Sequence, residues 1–256
     1  VHFRQPYWEH WDCFTQHVSR LSAVLSQGVH RADVALLYPL TSIHANWLKG
    51  DHFTAAGDEI EMEGMALAQQ IYTSGIDFDF VDDLKLNEAT VNDGILHIDE
   101  LEFRVVLMPP MTTIRTDTLE KIKAFCEGGG TVIAVSHLPG GSAEHGRNDP
   151  RIRELLAELF GISTSSDYIH AVGRSMQGLS SVSTERHAGG GQAIFIPQPE
   201  LHRNVWHDPG FFRIKADTAT VISDAIERDV VASGGVTLGE AGDIYHTHQR
   251  IDALDV

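Results

Sequence analysis

The sequence holds little that would carry chemistry by itself. Among 256 residues there are two cysteines, Cys13 and Cys126, far apart and each in a stretch with helical spacing. Two such thiols make no disulfide framework, and the expectation for both is a place in the core. Positive charge is scarce: 19 Lys and Arg stand against 36 Asp and Glu, for a net charge of -17. Phosphate backbones and anionic lipid surfaces demand a basic surplus. No nucleic acid and no membrane is therefore expected as a partner, and solubility is the plain role of the charge. No apolar run approaches the roughly 18 residues of a membrane span. HExxH, CxxC, GxSxG, GxCxG, GxGxxG and the lysine of a phosphate loop are all missing. The 15 histidines are scattered. No metal, no cofactor and no catalytic residue of its own is expected.

What is present is a core and a rhythm. Hydrophobic residues make up 42% of the chain, enough for one large domain or a medium one with appendages. Trp8 to Gln27 has apolar residues at Trp11, Phe14, Val18, Leu21, Val24 and Leu25, a helical spacing stopped by Gly28. Asp33 to Tyr38, Phe103 to Met108 and Thr131 to Val135 are continuous apolar runs, which suit strands buried on both faces. Ile76 to Val81 alternates like a strand, and Asn92-Asp93-Gly94 signals a hairpin before Ile95. Glu59 to Thr73, Thr116 to Cys126 and Pro150 to Phe160 read as helices. Strand and helix in alternation predict right-handed crossovers and an α/β, doubly wound parallel sheet. After Gly161 the rhythm weakens. Gln192 to Ile196 reads as a strand, Ala216 to Arg228 as a closing helix, and Gly234 to Val256 as short β structure.

Open α/β sheets bind ligands beyond the carboxyl ends of their strands. Three loops fall there: Pro39 to His52, Pro109 to Arg115, and Ser136 to Gly146. The first carries His44, Asn46, Trp47 and Asp51. A Trp face with polar neighbours can hold a sugar ring, and it can equally pack a loop against a neighbouring domain. In the third loop, Ser136 and His137 are adjacent. On an extended chain they point to opposite sides and are not expected to pair as nucleophile and base. Asp79, Asp82 and Asp83 suit acid/base work or a divalent cation, and equally the capping of the next element. His246 and His248 share one face of a strand-like stretch, without an evident third ligand.

Several short motifs, in order, resemble a known family. Arg4-Gln5-Pro6-Tyr7-Trp8, His17 to Ser22 and Leu25 to Gly28 resemble the barrel exit of large bacterial glycoside hydrolases, closest to the alpha-L-rhamnosidase-like group, family 106. Asp33 to Pro39, Ile76 to Asp82, Phe103 to Pro110 and Gly128 to Ile133 continue the match, and Ile244 to Val256 resembles the first strand of a following β-sandwich. The middle domain of such enzymes resembles a class I glutamine amidotransferase (flavodoxin-like), as does the trimerisation domain of family 42 beta-galactosidases. Both chain ends read as cuts under this resemblance. It implies three parts: residues 1–30 ending a barrel domain, 31–232 the amidotransferase-like domain, and 233–256 the start of a β-domain. It implies an accessory role beside a catalytic barrel, with carbohydrate reached through the parent enzyme, barrel and β-sandwich as neighbours, and a homo-oligomer as a further partner. A free-standing amidotransferase-like or esterase-like hydrolase and a sugar-binding module remain open.

Overall fold

A computed structural model describes residues 3–48, 52–53, 55–161, 183–186, 190–196, 222, 224, 226, 249–251 and 254–255. These fall into two units, Val1–Arg31 with Thr247–Val256, and Ala32–His246.

In the first unit a short 3-10 turn, Trp8–His10, leads into α1 (Trp11–Leu25). Val29–His30 pairs antiparallel with Gln249–Ile251, which pairs with Leu254–Asp255. No residue of α1 is buried, and Cys13 is exposed, against the expectation of a core thiol. The apolar stripe of α1 is itself exposed, at Phe14, Val18, Leu21, Val24 and Leu25, so the helix has no buried face to take a thiol. Cys126 is buried as expected.

The second unit runs β1 (Val34–Leu37), α2 (Leu40–Ala45), α3 (Ala55–Thr73), β2 (Phe78–Val81), α4 (Asp83–Glu88), β3 (Val105–Met108), α5 (Thr116–Glu127), β4 (Thr131–Val135), α6 (Pro150–Phe160), β5 (Ser183–Arg186) and β6 (Gln192–Ile196). The strands form one sheet in the order β5-β6-β4-β3-β1-β2. Every neighbouring pair is parallel except β5 with β6. Leaving out the antiparallel edge, the parallel strands follow the 2-1-3-4-5 order of flavodoxin-like doubly wound sheets. The fold class is thus the expected α/β, doubly wound, amidotransferase-like one.

The continuous apolar runs are explained by burial on both faces. On one face Val106, Met108, Val132 and Ala134 pack with Leu119 and Phe125 of α5 and Leu155 and Leu159 of α6. On the other, Val105, Leu107, Ile133 and Val135 pack with Leu67 and Ile71 of α3, and with Ile222 and Ile226. Ile222, Asp224 and Ile226 are helical, while the rest of the expected helix 216–228 lies outside the described residues, as do His246, His248 and most of 163–188.

The expected hairpin is present: Asn92 pairs with Ile95 across Asp93 and Gly94, at φ 49° and 74°. The expected strand Phe103 to Met108 is in fact two. Leu101–Phe103 belongs to the hairpin sheet, with Phe103 opposite Leu96, and β3 starts at Val105. The chain changes sheets at Arg104, where the Arg104 and Val105 amides both donate to Asp33 O and Arg104 Nε lies 3.2 Å from Asp33 Oδ1. The stretch Pro39 to His52 is not a plain loop either. It contains α2 and the start of a ribbon in which Trp47 pairs with Phe53.

Candidate functional site

From β1 the chain turns outward to β2 on one side; from β3 onward it builds the sheet on the other. The carboxyl ends of β1 and β3 are therefore the topological switch point, where loops diverge and leave a crevice. An open cleft of about 730 Å³ lies there, within the size range of small-molecule sites. Its walls come from three segments: Thr41, His44 and Asn46 of α2 and its cap; Thr112 and Arg115 after β3; and residues 140–143 and 146–148 after β4.

Hydrogen bonds join these walls. Ser42 is fully buried. Its Oγ accepts from the Thr112 and Thr113 amides at 3.0 and 2.9 Å and donates to the Thr113 carbonyl at 2.6 Å. Asn46 Nδ2 donates to Ser42 O and to Thr112 Oγ1, at 2.8 and 3.0 Å. Gly141–Ser142 pairs in parallel with Thr113–Ile114 and antiparallel with Gly146–Arg147.

Carboxylates stand close to the cleft's charged and hydroxyl groups. Asp83, the first residue of α4, is buried and accepts from the Thr41 hydroxyl. Desolvation raises its pKa, against the pull of that hydrogen bond and of the nearby Arg115 charge. Arg115 Nε is 3.5 Å from Asp117 Oδ1, and its terminal nitrogen is 3.8 Å from Glu144 Oε1. Glu144 is itself engaged through Oε2, which accepts from the Thr116 amide and hydroxyl.

Of the residues picked out from sequence, His44 and Asn46 stand together on the cleft wall. Trp47 is half-exposed, on the ribbon that follows, and is not part of the wall. Asp51 lies outside the described residues. Thr112, Arg115 and Arg147 were missed. Thr112 and Arg115 lie in the second strand-end loop and Arg147 one residue past the third, and nothing local distinguishes those residues from ordinary surface ones. Asp82 is a helix cap, its side chain accepting from the Lys85 amide at 2.9 Å.

The third loop corrects the expectation about Ser136. The chain is not extended there: Ser136 sits at φ 61°, the left-handed region, directly after β4. Its Oγ is 2.7 Å from His137 Nδ1 and 3.3 Å from Glu63 Oε2. The sharp reversal puts two adjacent side chains on one side, which an extended strand forbids. Glu63 Oε2 is also 3.8 Å from the same His137 Nδ1. Serine and carboxylate thus converge on one ring nitrogen, whereas a nucleophile relay needs them on opposite nitrogens.

Fold and cleft together define a doubly wound α/β domain with an open crevice at its switch point. It is similar to a catalytic mutant of Gan42B, a GH42 beta-galactosidase from G. stearothermophilus, at a TM-score of 0.61 and 14% identity, over 99% of this chain and 38% of that one. It is likewise similar to a beta-galactosidase from Bacillus circulans sp. alkalophilus, at 0.59 and 11% identity, over 99% of this chain and 39% of that one. The chain thus spans less than two-fifths of the length of the proteins it matches. The likeness to family 106 has no counterpart in these two matches. No family model matches the sequence, and no curated protein does.

Proposed function

We propose that the chain is an accessory domain, without catalytic residues of its own, of a multidomain glycoside hydrolase acting on galactosides or rhamnosides. In this reading it braces the catalytic barrel, and its switch-point cleft holds a sugar, with His44, Asn46, Trp47 and Asp51 as sugar contacts, or lines an interface between copies. The observation that carries the reading is fold likeness over 99% of the chain to little more than a third of a beta-galactosidase. A crevice of this volume with hydroxyl, amide and imidazole groups suits hydrogen bonding to sugar hydroxyls.

The test is turnover by the purified chain. No nitrophenol is expected from aryl beta-galactosides or aryl alpha-L-rhamnosides, and robust release would sink the accessory reading. The competing reading, a free-standing esterase-like hydrolase, draws support from the left-handed Ser136 beside His137 and Glu63, since backbone outliers cluster at functional sites. The shared ring nitrogen and the burial of Ser136 weigh against it. Aryl-ester hydrolysis abolished by Ser136→Ala would reverse the preference.

A further inference from the structure

The cleft differs in charge from the chain that bears it. The protein carries a large acidic excess, yet no Asp or Glu is among the cleft's wall residues, while Arg115, Arg147 and His44 are. Among the described residues neither arginine's guanidinium is hydrogen-bonded, and Arg147 has no ion pair. A guanidinium offers a planar fork of N–H donors matched to carboxylate or phosphate oxygens.

Four carboxylates lie near the cleft: Asp117 and Glu144 pair with Arg115, Asp83 and Asp149 are buried, and among the described residues none pairs with Arg147. Glu144 gives one oxygen to Thr116 and keeps the other 3.8 Å from Arg115, beyond hydrogen-bond reach. Asp117 stands 3.5 Å from Arg115 Nε, without a hydrogen bond. Asp83 is buried behind Thr41. The basic groups also sit beside hydroxyl and amide side chains, Thr41, Thr112 and Asn46, rather than in a purely basic patch.

Resting on the reading of this cleft as a saccharide site, we propose that its ligand is an acidic sugar, whose carboxylate or phosphate is met by Arg115 and Arg147 while Thr41, His44 and Asn46 meet hydroxyls. An anion in the crevice gains from Arg147 and from what Arg115 offers beyond its two ion pairs, and a neutral sugar uses only the polar groups. In a strongly acidic protein, Arg147 without an ion pair among the described residues also favours anions at the crevice over the surrounding surface.

The experiment is a ligand-observed NMR titration of the full 256-residue chain with D-galacturonate, galactose 6-phosphate, D-galactose and inorganic phosphate. Arg147→Gln, an exposed position, and Arg115→Gln are compared with the parent, with folding checked by circular dichroism. At least one acidic sugar is expected to bind tenfold or more tighter than galactose, to weaken as salt is raised, and to lose fivefold or more on Arg147→Gln. The preferred acid reports whether the group is carboxylate or phosphate. Equal binding of galactose and both acids, unchanged by Arg147→Gln, would overturn the charge assignment while leaving the saccharide site standing. Binding of inorganic phosphate alone, or of nothing, by a folded chain would overturn the saccharide reading and this inference with it.

Discussion

Ser42 Oγ and the Thr113 backbone form a closed pair: the hydroxyl donates to the Thr113 carbonyl at 2.6 Å and accepts from the Thr113 amide at 2.9 Å. One buried serine thereby holds α2 against the segment after β3 and sets the width of the cleft. Ser42→Ala leaves amide groups of Thr112 and Thr113 without this acceptor. A loss of about 1–3 kcal/mol is expected, the cost of stranding buried polar groups. Urea unfolding measures it, and an unchanged midpoint would show that these amides find other partners.

Gly191 lies where a side chain does not fit. A Cβ there would stand 1.8 Å from the Cys126 carbonyl oxygen and 2.7 Å from that of Gly130. Both are backbone atoms, so relief requires α5 or β6 to move. Gly191→Ala is expected to cost about 3 kcal/mol or more, at the upper end of overpacking effects. Thermal unfolding close to the parent's would disprove this packing.

Asp83 gives a pH dependence of determined sign. Burial raises its pKa from the ordinary 3.8. The folded protein thus binds this proton more tightly than the unfolded chain does. The stability Asp83 contributes is complete below the ordinary value and is lost as pH rises through the folded value. Asp83→Asn removes that loss while keeping an acceptor for Thr41. Measured at about pH 4 and at about pH 7, the variant should gain stability relative to the parent as pH rises, the sign following from the upward shift. Denaturant titrations at both pH values decide, and a parent that gains on the variant with rising pH would reverse the sign.

Ser136 pays for its left-handed backbone with contacts to His137 and Glu63. Glycine adopts that conformation freely, and a β-branched residue does not. Ser136→Gly is expected within about 1 kcal/mol of the parent, strain relief offsetting lost hydrogen bonds. Ser136→Val should lose about 2–3 kcal/mol, from strain together with the loss of the hydroxyl's bonds to His137 and Glu63. Equal stability of the two variants would mean that the backbone is not held there.

Trp47 tests where a sugar would stack. It is 48% exposed and follows Asn46 of the cleft wall. If its ring extends the site, Trp47→Ala should weaken sugar binding about two- to tenfold, the scale of an aromatic contact, with little change in folding stability. NMR titration with galactose or galacturonate checks this, and unchanged affinity would confine the sugar to the cleft.

The sequence by itself determined the class of the fold. Apolar runs such as Val34 to Leu37 and Thr131 to Val135 can be buried only between two helical layers, and their alternation with amphipathic helices leaves a parallel sheet as the solution. Asp93-Gly94 declared its turn because positive φ at both positions is a local property. Only the tertiary structure decided where β3 begins, since the tie between Arg104 and Asp33 joins residues 71 apart. It alone brought Arg115 and Arg147 to the wall that His44 and Asn46 share, because strand order, not sequence spacing, sets which loops meet. It alone turned Ser136 toward His137. A left-handed serine carries no sequence signal of its own: neighbouring packing imposes that conformation, and local preference opposes it.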